Sequence, residues 1–277
     1  MLSRRALFVT VAAALAPAAE TKRVEIGVCG PIDDFAKAVQ YGFDYFEPGA
    51  AQLATLTDQA FADFRNRVLA SRLRCKCFNS FIRTLKVVGP DVNMDALASY
   101  VDSTLDRCRQ LGAEIVVWGS ASSRNVPDNY PREKAWDQIK DFLRHAGDIA
   151  RSKNIVLAIE PLRRQESNII NSGAEALRLV NEVHHPNVKM IIDYYHLREE
   201  KEDPEILRTA RKEIVHLHFA NPNGRVWPKQ PDEDPEYRRF FALIKQTGFR
   251  GGISIEGKGT FENDAVQSLA FFRRELS

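Results

Sequence analysis

The chain has 277 residues, 44% of them apolar and 27% charged, which is typical of a globular protein rather than a disordered or collagen-like one. Lys and Arg number 39 against 37 Asp and Glu, and the first 18 residues contain Arg4, Arg5 and no acid, so the remainder is electrically neutral. A neutral body lacks the positive surface that nucleic-acid phosphates require, so we expect no nucleic-acid partner.

The first 18 residues are predicted to be an export signal. Residues 1–5 are basic, residues 6–16 form an apolar run, and Ala16-Pro17-Ala18 has the small-x-small pattern of a cleavage site. The pair Arg4-Arg5 resembles a twin-arginine motif, which predicts a periplasmic protein. The apolar run is too short to span a bilayer, so no membrane span is expected in the mature protein. The alternative is a frayed tail or an uncleaved anchor, and the protein is cytoplasmic if the signal does not function.

Beyond residue 19, short apolar runs alternate with amphipathic stretches. One predicted helix covers residues 91–111, with apolar side chains at steps of three and four, and another opens with a capping box from Ser172 to Glu175. No linker or charge block divides residues 19–277, so they are predicted to form a single domain. Eight strand-like runs begin near Val24, Phe43, Leu73, Glu114, Asn154, Asn187, Glu213 and Gly251.

Eight strand–helix units with strands that are apolar on both faces predict an α/β fold of the (β/α)₈ TIM barrel type. The alternative is a doubly wound open sheet. That fold usually has a GxGxxG turn after its first strand, whereas this chain has Cys29-Gly30-Pro31-Ile32 there. The barrel is therefore the preferred interpretation.

Four consecutive predicted strands end in a carboxylate or an imidazole: Glu160, Asp193, His218 and Glu256. The carboxyl ends of barrel strands meet at one mouth, where barrel enzymes have their active sites. Any one of these residues alone could cap a helix, but inward-facing carboxylates repel one another unless a cation lies among them. Three carboxylates and one imidazole suit a single divalent ion such as Mn²⁺, Mg²⁺ or Co²⁺.

Several other side chains are each compatible with two roles. Glu47 ends the second strand and either enters the mouth or caps the next segment. His216 is interpreted as a hydrogen-bonded core histidine, Trp118 lines the pocket or belongs to the core, and residues 257–259 form a phosphate cradle or a flexible turn. The four cysteines have no metal-type spacing and are expected to be reduced and mostly buried.

Four segments resemble a known family: IEPLRRQESN from Ile159, IIDYYH from Ile191, HLHFANPNGR from His216 and SIEG from Ser254. They are similar to the xylose isomerase-like superfamily of sugar phosphate isomerases and epimerases, and within it to the D-tagatose and D-psicose 3-epimerases. The resemblance implies a small carbohydrate substrate and one ion, Mn²⁺ ahead of Mg²⁺ or Co²⁺, held by the four strand-end residues. Homo-oligomers are compatible with it.

The same resemblance implies three substrate-binding residues: His196, Glu166 and Arg225. His196 follows the metal aspartate by three residues, and Glu166 follows the first metal glutamate by six. Arg225 lies seven residues after His218, where the epimerases have six, so its reach departs from the family pattern. The loops after the first four strands show no match to the family's substrate contacts.

The predicted chemistry is removal of a proton next to a carbonyl, through a metal-stabilised enediolate, with Glu160 and Glu256 as the proton-transfer pair. Epimerisation or isomerisation is the expected outcome, and a keto-sugar or cyclitol dehydratase or lyase is the alternative. An endonuclease IV-like nuclease is remote, because residues 78–80 and 118–120 lack its histidines. A non-catalytic sugar-binding protein is also remote, because both glutamates are present.

Overall fold

A computed structural model of the chain describes residues 23–277, and the export signal predicted for residues 1–18 lies outside the described part. The eight predicted strands are all present. They are β1 (Glu25–Cys29), β2 (Tyr45–Glu47), β3 (Cys77–Phe78), β4 (Ile115–Trp118), β5 (Val156–Ile159), β6 (Val188–Asp193), β7 (Ile214–Phe219) and β8 (Gly252–Ile255).

Helices connect the strands and surround them. They are α1 (Phe35–Tyr41), α2 (Ala50–Thr55), α3 (Asp58–Ala70), α4 (Met94–Gln110), α5 (Ala121–Arg124), α6 (Arg132–Ser152), α7 (Gly173–Val183), α8 (Tyr194–Glu199), α9 (Ile206–Thr209), α10 (Tyr237–Thr247) and α11 (Phe261–Leu276). None of the helices in the described part of the chain combines the length and apolarity needed to cross a membrane.

The strands are parallel and lie in the order β2-β1-β8-β7-β6-β5-β4-β3. Between the two end strands, irregular backbone bonds replace a regular ladder. The amide of Phe46 donates to the Arg74 carbonyl at 3.0 Å, and the amide of Ala50 donates to the Asn79 carbonyl at 2.8 Å. These bonds bring the sheet edges together into a nearly closed ring. The predicted (β/α)₈ TIM barrel is therefore confirmed, and the open-sheet alternative is wrong.

The third strand is shorter than its apolar run predicts. Only Cys77 and Phe78 pair with β4, although the run begins at Leu73. The carbonyl of Lys76 accepts hydrogen bonds from two successive amides, those of Glu114 and Ile115. This splayed pairing does not extend back towards Leu73.

Side-chain caps determine where two of the predicted helices begin. Helix α4 begins at Met94 rather than residue 91, because Asn93 Oδ1 accepts a hydrogen bond from the amide of Ala96 at 2.9 Å. Ser172 Oγ caps α7 by accepting from the amide of Glu175 at 3.1 Å. The Glu175 carboxylate accepts from the amide of Asn171 instead of Ser172, so only half of the predicted capping box forms.

The barrel interior is apolar below and polar above. The lower layer is a small cluster formed by Tyr45, Cys77, Val117, Ala158 and Ile191. A larger apolar core lies between the strands and the outer helices. All four cysteines are free thiols, and all except Cys29 are buried, as expected. Four polar side chains lie at or near the carboxyl ends of the strands: Glu160, Asp193, His218 and Glu256.

Candidate active site

Four neighbouring strands bring the predicted metal-binding residues to one mouth. Asp193 ends β6 and is paired in register with His218 of β7, while Glu160 and Glu256 directly follow β5 and β8. One donor atom from each residue lies within 4.8 Å of the corresponding atoms of the other three. We refer to these four residues as the mouth cluster.

The strand that carries His218 is anchored from outside the barrel. Successive strand residues point to opposite faces, so Phe219 points outward where His218 points inward. The Phe219 ring stacks on Tyr194 with a centroid separation of 4.4 Å and meets the edges or tilted faces of Tyr237 and Phe240. This aromatic packing fixes the end of β7 and therefore the direction of the imidazole.

The donor atoms of the mouth cluster converge on the Nδ1 side of His218. His218 Nδ1 lies 3.1 Å from Glu160 Oε1 and 3.4 Å from Glu256 Oε2. Asp193 Oδ1 accepts from the amide of Tyr195, but the buried Asp193 Oδ2 has no hydrogen-bond partner. Buried carboxylate oxygens normally have a partner. The cluster therefore fits a divalent cation that prefers oxygen ligands and accepts one imidazole.

The charges in the mouth cluster perturb one another strongly. Burial, together with the nearby Glu256 and Glu160 carboxylates, raises the pKa of Asp193 to about 7. Burial also raises the pKa of Glu160, despite the hydrogen bond from His218. Burial acts in the same direction on Glu256, but His218 and Arg225 outweigh it and bring that pKa to about 2. Ionised carboxylates are costly here unless positive charge compensates them.

Arg225 supplies part of that positive charge. One terminal nitrogen lies 3.0 Å from Glu256 Oε2 and 3.8 Å from Asp193 Oδ2, and the other lies 3.3 Å from Glu166 Oε1. The loop reaches the cluster through two successive left-handed residues, Gly224 at φ +86° and Arg225 at φ +52°. Although its spacing from His218 departs from the epimerase pattern, the Arg225 guanidinium reaches the mouth.

His196 is held with a free N–H at the edge of the mouth cluster. Burial lowers its pKa to about 3, so the imidazole is neutral. Its Nδ1 accepts a hydrogen bond from the amide of Arg163 at 3.3 Å, which places the ring proton on Nε2. Nε2 is buried, lies 3.5 Å from Asp193 Oδ2 and has no hydrogen-bond partner. It can therefore donate to an oxygen of a bound molecule.

A cavity of about 320 Å³ opens over the mouth cluster, and we call it the reaction cavity. Its walls include Glu160, Glu166, His196, Arg225 and Glu256. Gly119 also borders it, and a β-carbon at this position would collide with Glu160 Oε2. The residues predicted to bind substrate and those predicted to transfer protons thus face one space.

Glu47 has a role that the sequence did not identify. It lies fully buried beneath the mouth cluster, where Oε1 is 2.8 Å from His218 Nε2 and Oε2 is 3.0 Å from His216 Nε2. Burial disfavours the Glu47 charge, but the two imidazoles outweigh burial and hold its pKa well below the usual range. A carboxylate on the far nitrogen of a histidine fixes its tautomer and orientation, so Glu47 directs His218 Nδ1 at the cluster.

The network beneath the mouth continues away from Glu47. Ser254 Oγ donates to Glu47 Oε2 at 2.5 Å and lies 2.8 Å from the hydroxyl of Tyr45. We call Tyr45, Glu47, His216 and Ser254 the lower network. His216 is thus a hydrogen-bonded core histidine, as interpreted from the sequence. The period-two spacing of Tyr45 and Glu47 along β2 was the signal that both face inward.

A buried arginine supports the backbone at the end of β5. Arg124 is fully buried and donates to the carbonyls of Trp118 at 3.0 Å and Glu160 at 2.7 Å. Burial lowers its pKa to about 10. Trp118 packs in the core against Phe142 and donates from Nε1 to Ser123 Oγ at 3.1 Å, so it does not line the pocket. No local sequence motif indicates that Arg124 donates to these two backbone carbonyls.

The turn after β8 does not offer a phosphate cradle. The amide of Lys258 donates to the Arg225 carbonyl, and the Gly257 carbonyl accepts from Trp227 Nε1 at 3.0 Å. The Lys258 side chain is exposed. The backbone of this segment is thus tied to the loop that carries Arg225, which favours a structural turn.

Comparisons with known proteins agree with this geometry. A family model described as xylose isomerase-like TIM barrel matches residues 35–275. The 3-dehydro-D-guloside 4-epimerase of Escherichia coli (strain K12) is 25% identical over 252 residues, which cover 87% of this chain and 94% of that protein. The D-psicose 3-epimerase of Ruminiclostridium cellulolyticum is 26% identical over 197 residues, which cover 69% of this chain and 66% of that protein.

A solved structure shows the same fold. The crystal structure of a 3-keto-D-glucoside 4-epimerase from E. coli superposes with a TM-score of 0.75 at 22% identity, covering 91% of this chain and 100% of that one.

Proposed function

Because the chain belongs to the xylose isomerase-like TIM barrel family, we propose that it is a divalent-metal-dependent sugar epimerase or isomerase. The observation that carries the proposal is the mouth cluster, with three carboxylates around one imidazole and an unpartnered oxygen on Asp193. Sugar epimerases among the matched relatives support the reaction class.

The mouth cluster would hold the ion, for which we propose Mn²⁺ ahead of Mg²⁺ or Co²⁺. All four residues of the cluster, Glu160, Asp193, His218 and Glu256, offer a donor atom. A divalent cation bound there would stabilise the negative charge that develops on substrate oxygens when a neighbouring carbon loses its proton.

Glu160 and Glu256 are the proposed proton-transfer pair. Both border the reaction cavity, and both have an oxygen close to His218 Nδ1. One carboxylate accepts the proton from the carbon next to the carbonyl, and the electron pair of that C–H bond moves towards the carbonyl oxygen. The other carboxyl group then returns a proton to the opposite face of the same carbon, which inverts it. Return of a proton to the adjacent carbon would give the isomer.

Substrate oxygens are positioned by His196, Arg225 and Glu166. His196 Nε2–H is an unused donor beside the reaction cavity, and the Arg225 guanidinium borders that cavity. Glu166 orients that guanidinium by pairing with it at 3.3 Å. Holding the substrate in one orientation lowers the entropic part of the barrier.

Two classes of keto sugar are candidate substrates. Free ketoses are the substrates named for the D-psicose 3-epimerase, and a keto-glucoside is named for the E. coli enzyme. Both contain a hydroxyl-bearing carbon next to a carbonyl, which is the group that the proposed chemistry requires.

Elemental analysis tests the metal assignment. We expect about one equivalent of divalent metal in the purified protein, and loss of that metal in Asp193→Ala. Asp141→Ala is the matched control: it removes an exposed carboxylate on α6 that is not part of the mouth cluster, so this variant should keep its metal. Equal metal content in Asp193→Ala and the unmodified protein would show that the mouth cluster is not the metal site.

Incubation with ketoses and keto-glycosides in D₂O tests the reaction. Carbon-bound deuterium in a product with unchanged skeleton supports epimerisation or isomerisation. A product that is lighter than the substrate by one water molecule would instead identify a dehydratase. Absence of deuterium from every sugar, with metal bound, would contradict the proposed chemistry.

A further inference from the structure

A second, larger cavity adjoins the reaction cavity. It has a volume of about 640 Å³, and we call it the outer cavity. Ser80, Arg83 and Glu256 border both spaces, so a single molecule can extend from one into the other. Glu256 is a proposed proton-transfer residue, and the outer cavity therefore begins directly beside the reacting carbon.

The walls of the outer cavity are formed before any ligand enters. The amide of Ile32 donates to Gln52 Oε1 at 3.2 Å, which ties the loop after β1 to α2. The Tyr100 hydroxyl donates to the Phe81 carbonyl at 2.8 Å, which ties the loop after β3 to α4. Ligand pockets in proteins are usually preformed in this way, and they enclose about 300–1,000 Å³.

The chemistry of the two cavities differs. The reaction cavity is lined by several charged groups, including Glu160, Glu166 and Arg225. Arg83 and Glu256 are the charged residues among those bordering the outer cavity, and both are shared with the reaction cavity. None of the residues that border the outer cavity alone is charged, and they include Pro31, Gln52, Thr55, Asn79, Thr84 and Tyr100.

These uncharged walls suit a neutral group rich in hydroxyls. Amide and hydroxyl side chains such as Gln52 and Thr84 can exchange hydrogen bonds with a sugar, and the Tyr100 ring and Pro31 offer apolar surface to its C–H faces. A phosphate would be drawn instead to Arg83 at the junction, since the remaining wall has no cation. The outer cavity thus complements a second sugar ring better than a phosphorylated tail.

We propose that the substrate is a glycoside whose oxidised ring reacts in the reaction cavity while a second sugar ring occupies the outer cavity. This inference rests on the proposed function for the reacting ring, and it adds the class of the attached group. Asn79 links the two halves, because its Nδ2 donates to Glu256 Oε1 at 3.4 Å while its side chain borders the outer cavity.

Two probes with the same reacting ring test the proposal: methyl 3-keto-α-D-glucopyranoside and 3-keto-α,α-trehalose. Calorimetry on the metal-loaded full chain measures affinity without requiring turnover. We expect the disaccharide to bind about tenfold or more tightly than the methyl glycoside, because its second ring is buried in the outer cavity. Solvent deuterium exchange into each probe is measured in parallel.

Two bulky substitutions narrow the outer cavity from different segments. Thr55 ends α2 and Thr84 lies in the loop after β3, and both are exposed, so Thr55→Trp and Thr84→Trp should not disturb the core. Each should reduce the ratio of disaccharide to methyl-glycoside affinity by about tenfold. Gln59→Trp, an exposed position on α3 outside the cavity wall, is the control and should keep the ratio.

Equal affinity for the two probes, or an unchanged ratio in both tryptophan variants, would overturn the proposal. If deuterium exchanges into both probes while their affinities are equal, the proposed function stands and the glycoside assignment fails. If the disaccharide binds more tightly and the ratio responds to the tryptophans, but no deuterium enters either probe, the glycoside site stands and the proposed chemistry fails.

Discussion

The mouth cluster and the lower network are adjacent and use the same kinds of side chain, yet they differ in how their polar atoms are satisfied. In the lower network, both oxygens of Glu47 have hydrogen-bond partners and the Tyr45 hydroxyl meets Ser254. In and beside the mouth cluster, Asp193 Oδ2 and His196 Nε2 are buried without a partner. His218 of the mouth cluster joins the two regions, because its Nδ1 faces Glu160 and its Nε2 contacts Glu47 of the lower network.

This difference indicates that the lower network has a structural role and the mouth cluster a role in binding or catalysis. A satisfied buried network rigidifies its surroundings and specifies a single arrangement. Unsatisfied atoms and crowded carboxylates cost stability and persist where they serve binding or catalysis. The comparison predicts that substitutions in the lower network should lower the stability of the fold or misorient His218. Substitutions in the mouth cluster should instead abolish catalysis and relieve the repulsion between its carboxylates.

The largest effect is expected from the proton-transfer pair. Glu160→Gln and Glu256→Gln each remove a proton acceptor while keeping an oxygen at the same place. Deuterium exchange into substrate should fall by about 10²–10⁴-fold in each, which is the usual contribution of a general acid or base. Mass spectrometry of the recovered sugar measures it, and Glu262→Gln on the surface is the control. Exchange at the unmodified rate in both variants would place the proton transfer elsewhere.

A smaller effect is expected on metal affinity from Glu47→Gln. The amide accepts from one imidazole but presents an N–H group to another, so it no longer holds His218 in one tautomer. Loss of such an outer partner typically weakens metal binding by about 10–100-fold. Competition with a chelating dye measures this, and Glu25→Gln at the opposite end of the barrel is the control. Unchanged affinity would mean that Glu47 does not orient His218.

Stability should fall when the lower network is cut at Ser254→Ala. The substitution removes a donor to Glu47 and leaves the buried Tyr45 hydroxyl without its serine partner. An unsatisfied buried group costs about 1–3 kcal/mol of unfolding free energy. Urea titration with chelator present measures the change. A free energy of unfolding equal to that of the unmodified protein would show that the lower network does not stabilise the fold through Ser254.

Stability should rise slightly when the mouth cluster is relieved at Asp193→Asn. The amide retains an oxygen for the Tyr195 amide but removes one buried charge from among the carboxylates. Single stabilising substitutions commonly add about 0.5–2 kcal/mol to the free energy of unfolding. The same titration in chelator measures the gain, and metal should fail to stabilise this variant further. Destabilisation would show that the Asp193 charge serves the fold.

The barrel and the mouth cluster were predictable because both follow from strand periodicity. Apolar runs recur eight times, and in parallel strands the last residues of neighbouring runs necessarily meet at one edge. Asp193 and His218 could therefore be placed together without knowing any contact between them. The precise start of α4 was less predictable, since the Asn93 cap competes with other starts nearby.

What could not be predicted depends on contacts between distant segments. Glu47 is one carboxylate at the end of a three-residue strand. Its spacing from Tyr45 indicates an inward side chain, but its role depends on contacts with His216 and His218, about 170 residues later. Arg124 has no local pattern, because its partners are two backbone carbonyls. The outer cavity is enclosed by loops that hydrogen bonds such as Ile32 to Gln52 hold together.

The missing side chain of Gly119 limits how this protein can be altered. A β-carbon there would collide with Glu160 Oε2 and lie 3.0 Å from Cδ, so the carboxylate proposed to transfer a proton would have to move out of its position. In a randomised library selected for turnover, we expect glycine alone to survive at codon 119. To change the range of accepted sugars, an engineer should therefore vary the exposed residues Thr55 and Thr84 and keep Gly119.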